Sequence, residues 1–339
     1  MDTTNTLKGI AISAVLINHY LNLNISGDFK GFAYWFVSLF FLLSGYGLFH
    51  SLNRRFAVCH FNFRGLMVFY LLRGLRIFPM LWAAWIIQFF VTSGKISFWI
   101  LFGIHGQDHL WFVPALLQCY AVAPFIYIGI RKTPKITGTI IFIILILINF
   151  LIKKTVLPSI LIYMANFSCS AYLKIYFLHI LIFTAGIYVA CLFSGNRIRI
   201  HTGQNGTEQI SKSIGFCIFL LLTILTMMVL KYAGFNLPYG LNRMMDVLPV
   251  IMLIFLSVYA LIYSIKISLF ALIGSISYSI YLFHWSFYLL PDRFGNFPKD
   301  SPEKIILIAM LFPLFIFFCL YAEKSIDMLT NRFKTRFFI

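Results

Sequence analysis

The chain has 339 residues, 61% of them hydrophobic and only 11% charged, at a mean hydropathy of +0.90; a soluble domain carries about a quarter charged residues, so a water-soluble globular protein is excluded. Aromatic residues make up 19% of it, and 27 Lys and Arg against 10 Asp and Glu give a net charge of +17. In a soluble protein that excess points to nucleic acid; in a chain whose solvent is lipid it marks the loops between spans.

A spanning helix needs about 20 mainly apolar residues. Ten uncharged stretches fit, at 9–26, 31–50, 77–93, 111–130, 136–152, 175–194, 213–230, 247–264, 268–290 and 305–322. The first follows only Asp2 and Lys8 and lacks a small-residue cleavage site, so it is expected to stay as a membrane helix rather than leave as a signal peptide. A further stretch, 155–173, is uncharged but contains Pro158, Asn166, Ser168 and Ser170, and reads as re-entrant or interfacial. Ten spans with the N-terminus inside place 17 Lys and Arg in the cytoplasm and 10 outside; an eleventh span would make this 15 and 12. The positive-inside bias therefore predicts an all-α polytopic bundle of about ten transmembrane helices, both termini cytoplasmic. Residues 1–339 form one membrane domain in this reading, with inner loops at 51–76 and 195–212 and outer loops at 94–110, 231–246 and 291–304. The six cysteines, at 59, 119, 169, 191, 217 and 319, have no metal-site spacing and read as free, buried thiols.

All ten Asp and Glu fall at span ends or in loops, Glu323 among them. That argues against a carboxylate relay of the kind proton-coupled transporters carry at mid-membrane. The ionisable groups left inside are His19, His179 and His284. His179 reads as a core residue bonded to a neighbouring helix. His19 is eleven residues from Lys8, three helical turns plus about 20°, so both project from one face about 16 Å apart along the axis. One group sits at the cytoplasmic surface and the other deep in the membrane, which suits an elongated ligand with anionic phosphates at its outer end; alone, Lys8 would read as a snorkelling anchor. Arg73 and Arg76, three apart before Ile77-Phe78-Pro79, share a helix face. Paired guanidinium groups grip phosphate in bidentate fashion, and ordinary positive-inside anchoring accounts for them equally well.

Several motifs in this order resemble the acyltransferase 3 family of integral membrane acyltransferases. Leu7-Lys8-Gly9-Ile10-Ala11 through His19-Tyr20 is similar to the family's first span, and Phe40-Phe41-Leu42-Leu43-Ser44-Gly45-Tyr46 to its second. Arg73 and Arg76 match its Arg-x-x-Arg, His109-Leu110-Trp111-Phe112-Val113 its entrance to the fourth span, and Ile276 through His284 its late Ser-Tyr-x-x-Tyr-Leu-x-His signature. Two departures stand out: Lys8 replaces the usual Arg, and Pro114-Ala115-Leu116-Leu117-Gln118 stands where many members carry a Glu pair. The chain ends at Ile339 without the esterase-like domain of some relatives, so chemistry and acceptor binding are both expected in the membrane unit.

The resemblance implies O-acetyl transfer in a bacterial inner membrane, from cytoplasmic acetyl-CoA to a hydroxyl of a surface polysaccharide or its lipid-linked precursor. The acceptor could be O-antigen of lipopolysaccharide, capsule, enterobacterial common antigen, exopolysaccharide or peptidoglycan. No bound metal or resident cofactor and no nucleic-acid partner is expected. Lys8, Arg73 and Arg76 would hold the CoA phosphates, and His19 would act as general base, with direct transfer and an acyl-His intermediate both open. Asn18, Tyr20 and Ser44 would orient the ring or simply pack. His109, Trp111, Tyr278 and His284 would face the acceptor at the outer mouth, with interface-belt packing an equal reading for Trp111 and Tyr278. Gly45 and Gly274 read as helix-contact positions. A transporter or flippase of lipid-linked oligosaccharide is the rival reading; a polymerase ranks last because the outer loops are short.

Overall fold

The computed structural model describes residues 2–24, 32–58, 63–104, 108–132, 177–194, 214–222, 239–295 and 297–338. The regular elements among them are helical: α1 (Asp2–Asn24), α2 (Phe32–Val58), α3 (Phe63–Val91), α4 (Phe112–Lys132), α5 (Phe177–Ser194), α6 (214–222), α7 (Tyr239–Ile262), α8 (Ser268–Ser275), α9 (Ser277–Leu289), α10 (Pro291–Phe294) and α11 (Pro302–Phe338), with 3-10 turns at Phe98–Phe102 and Asp108–Trp111. Helices over Ala33–Phe56, Phe63–Val91, His109–Lys132 and Pro302–Phe333 are long and apolar enough to cross a membrane, and α8 with α9 makes a fifth if taken as one interrupted span. The expected span 136–152 and the stretch 155–173, read as re-entrant or interfacial, lie outside the described residues. The expected span 268–290 is broken at Ile276.

The chain packs as two compact units. The first holds residues 1–43 and 192–277. At its heart α1 is enclosed almost all round, with Ile17 (55% exposed) the one exposed residue from Thr3 to Asn24. Enclosure explains why α1 tolerates Thr6, Asn18, His19 and Asn24: polar side chains that lipid would reject meet protein instead. α1 crosses α8 with backbones in contact. A Cβ on Gly9 would fall on the Phe270 carbonyl, and one on Gly274 on the Asn5 carbonyl. Thr6 Oγ1 accepts the Ile267 N–H (3.2 Å) just before α8 begins.

The second unit comprises residues 44–191 and 278–339. Along α3, Trp82, Ile86 and Phe90 are exposed at helical spacing, the lipid-facing stripe, while Ile77, Leu81, Ala84 and Gln88 are buried. Gly45 on α2 lets the Phe183 backbone of α5 approach, since a Cβ there would overlap the Phe183 carbonyl. α9 meets α11 through Phe287 stacked on Phe315 (4.5 Å, 16°) and Phe283 edge-on to Phe318 (4.9 Å). At one end Arg293 donates to the carbonyls of Val91 (2.7 Å) and Phe90 (2.5 Å) and to Ser93 Oγ (2.7 Å), and Lys304 pairs with Asp292 (2.7 Å). These contacts satisfy carbonyls that the last turn of α3 leaves without helical partners.

Residues 94–104 of the expected outer loop 94–110 do not stand off the second unit. Trp85 Nε1 donates to the Ser97 carbonyl (2.9 Å) and Trp82 Nε1 to that of Leu101 (2.9 Å), and Gly103 lies beside Phe78. The segment therefore runs back along α3 from Val91 to Phe78, about 20 Å at 1.5 Å per residue. Indole N–H groups need acceptors where water is scarce, and the carbonyls of this irregular backbone need donors, so each satisfies the other.

A second difference concerns Glu323. The helix does not end there: α11 continues to Phe338, 37 residues and about 55 Å long, and Glu323 is buried at 8% exposure.

Candidate active site

In the first unit, Lys8 and His19 lie on α1, both half-buried, with Asn18 fully buried beside the histidine. About three turns of continuous helix separate the cation from the imidazole, Lys8 lying six residues from one end of α1 and His19 five from the other.

In the second unit the arginines of α3 have different surroundings. Arg73 is half-buried, donates to Ser51 Oγ (3.0 Å), and has the rings of Phe69 (5.6 Å) and Tyr120 (5.4 Å) near its guanidinium. Arg76 is exposed, its side chain at 54%, and faces Glu323 Oε1 at 3.7 Å. Glu323 Oε2 accepts the hydroxyl of Ser279. Tyr278 donates to the Ile77 carbonyl (3.1 Å), next to Arg76. A further contact joins α2 to α4: Tyr127 donates to Asn53 Oδ1 (3.1 Å) and accepts from Arg131 (3.0 Å).

Farther along α9 two buried imidazoles meet. His109 and His284 lie edge to face at 5.1 Å, and His109 stacks flat on Trp285 (5.1 Å, 12°). Tyr281 organises both. Its hydroxyl donates to the His109 carbonyl, and its own carbonyl lies 2.7 Å from His284 Nδ1. A carbonyl only accepts, so Nδ1 carries a proton and, in the neutral ring, Nε2 holds the lone pair. His109 owes its depth to the returning segment that precedes α4. Trp111 packs edge-on against buried His179 at 5.2 Å.

Of the four residues expected around the acceptor, the structure brings His109 and His284 together, places Trp111 against His179, and places Tyr278 beside the arginines. Ser279, Tyr281, Trp285 and Glu323 complete these clusters without having been given a role in the site from the sequence. Tyr281 is itself a position of the late motif and Trp285 follows it directly, so both carried that signal; Glu323 carried a weaker one, as the acid that closes an 18-residue uncharged run from Ile305. No three His, Cys, Asp or Glu side chains gather as metal ligands among the described residues.

A multi-pass helical membrane protein with buried imidazoles and an arginine pair is the class these features define. The acyltransferase domain family of the acyltransferase 3 type matches residues 4–324, and the chain belongs to that family. It is therefore a membrane acyltransferase. No curated protein and no solved structure matches the chain.

Proposed function

We propose that this protein is an O-acetyltransferase of a bacterial inner membrane that moves an acetyl group from cytoplasmic acetyl-CoA to a hydroxyl of a surface polysaccharide or its lipid-linked precursor. Arg76, Arg73 and Lys8 hold the CoA phosphates. His19 takes the proton of the acceptor hydroxyl as its oxygen attacks the thioester carbonyl, and the proton passes to the departing CoA thiolate. Trp111 and Trp285, both partly exposed, offer the acceptor aromatic faces, with the buried His109 and His284 beside Trp285, while Tyr278 braces α3 beside the arginines. The observation that carries this reading is α1 itself, an enclosed helix that bears a cation and an imidazole about three turns apart.

Ten spans with both termini cytoplasmic fit the second unit. Residues 90–93 and 293 meet at one end, and Arg76 and Glu323 meet beyond it along α3. Segments expected on the same side thus lie together. An even number of crossings between them, as in the ten-span reading, fits these contacts.

The test is transfer of labelled acetyl from acetyl-CoA in membranes. His19→Ala at normal abundance is expected to lower the rate by about 10²- to 10⁴-fold, with product glycan checked by mass spectrometry. Unchanged transfer removes His19 from the reaction.

A further inference from the structure

The geometry points to Glu323 as a positioning residue for the donor site, the group that aims Arg76 at the phosphates; this rests on the proposed use of acetyl-CoA. Three helices meet here, with Arg76 on α3, Ser279 on α9 and Glu323 on α11. A carboxylate at 8% exposure is costly to bury unless paired and hydrogen-bonded, and Glu323 is both. The Ser279 hydroxyl fixes Oε2, which leaves Oε1 toward Arg76. At 3.7 Å the pair is looser than a direct hydrogen bond, so the carboxylate orients the guanidinium through charge without occupying its fork.

The contrast with Arg73 gives the arrangement its meaning. Arg73 is held by neutral groups, Ser51 and the rings of Phe69 and Tyr120. Arg76 is mostly exposed, and its ion-pair partner among the described residues is Glu323. A long exposed side chain without such a partner samples many rotamers, and ordering it would then fall to the ligand. Glu323 also repels phosphate, but that repulsion acts across a half-exposed site and is screened. Orientation is therefore expected to outweigh repulsion.

Two donors separate the possibilities, acetyl-CoA and S-acetylpantetheine, which carries the same thioester without phosphates. The full chain in membranes is measured as wild type, Glu323→Gln, Arg76→Gln and the double variant. Glu323→Gln is expected to raise KM for acetyl-CoA by about tenfold and to change kinetics with acetylpantetheine by about twofold or less. The double variant is expected to match Arg76→Gln alone, because the two residues act as one unit. Equal losses with both donors, a fall in KM for acetyl-CoA, or additive effects in the double variant each overturn the assignment. A wild type that does not prefer acetyl-CoA overturns the donor reading as well; a preference that Glu323→Gln retains overturns only the role of Glu323. Should Glu323→Gln fail to accumulate, Ser279→Ala decides by the same ratio of donors, since it frees the carboxylate without removing it.

Discussion

Two arginines three residues apart share a helix face, yet their chemistry diverges because their neighbours come from different helices. The Arg-x-x-Arg spacing was legible as a candidate phosphate grip. The asymmetry was not, because Ser51 and Tyr120 belong to α2 and α4 and reach Arg73 only in the folded bundle. A lysine at 73 keeps the charge but loses the flat guanidinium that lies near both rings and the directed hydrogen bond. Arg73→Lys is expected to cost about 1–2 kcal/mol of stability, whereas Arg76→Lys, at an exposed position, should stay within about 0.5 kcal/mol. Thermal unfolding in detergent measures both, with the buried thiols of Cys119 and Cys319 as reporters of opening. Equal melting temperatures for the two variants would contradict the division of labour.

Among the elements, α8 shows how a local motif and a distant helix jointly set a break. The uncharged run 268–290 has the length of one span. The structure instead ends α8 at Ser275, where Gly274 lies against the α1 backbone, and restarts at Ser277. Gly274 was readable as a contact position because small residues let membrane helices approach. Its partner Gly9 was hidden inside the Lys8-to-His19 motif, where chemistry drew the reading. Gly9→Ala and Gly274→Ala each push a Cβ onto backbone, which cannot rotate away as a side chain could. Each is expected to destabilise by about 1–3 kcal/mol, and the pair should be non-additive because both relieve into the same crossing. A thermal shift of each variant, with transfer activity measured in parallel, tests this: full stability in either would mean that the helices stand farther apart than the contact requires. Since α1 carries Lys8 and His19, loss of activity is expected to accompany loss of fit.

At the scale of the whole molecule, hydropathy located the apolar helices, but neither it nor charge revealed the path of residues 95–104 and 108–111. Lys95 and Asp108 bracket that segment, so it read as an outer loop. What draws it inward is long-range: the indoles of Trp82 and Trp85 and the hydroxyl of Tyr281 donate to its carbonyls. Irregular backbone at membrane depth persists only where such donors meet it or where it lines a cavity, and here it delivers His109 to His284. Single cysteines in a cysteine-free background and a membrane-impermeant maleimide test both orientation and path. Lys299→Cys, in the expected outer loop, is expected to label in intact cells. Arg64→Cys, in the expected inner loop, should label only after permeabilisation. Phe98→Cys falls in the outer loop by sequence, but its side chain is exposed on the outer surface of a segment that descends along α3. Lipid there keeps the thiol protonated and away from a polar reagent, so it is expected to stay unlabelled from either side. Labelling of Phe98→Cys as fast as Lys299→Cys would place the segment in water and separate His109 from the buried pair; labelling of Arg64→Cys in intact cells would reverse the orientation on which cytoplasmic acetyl-CoA depends.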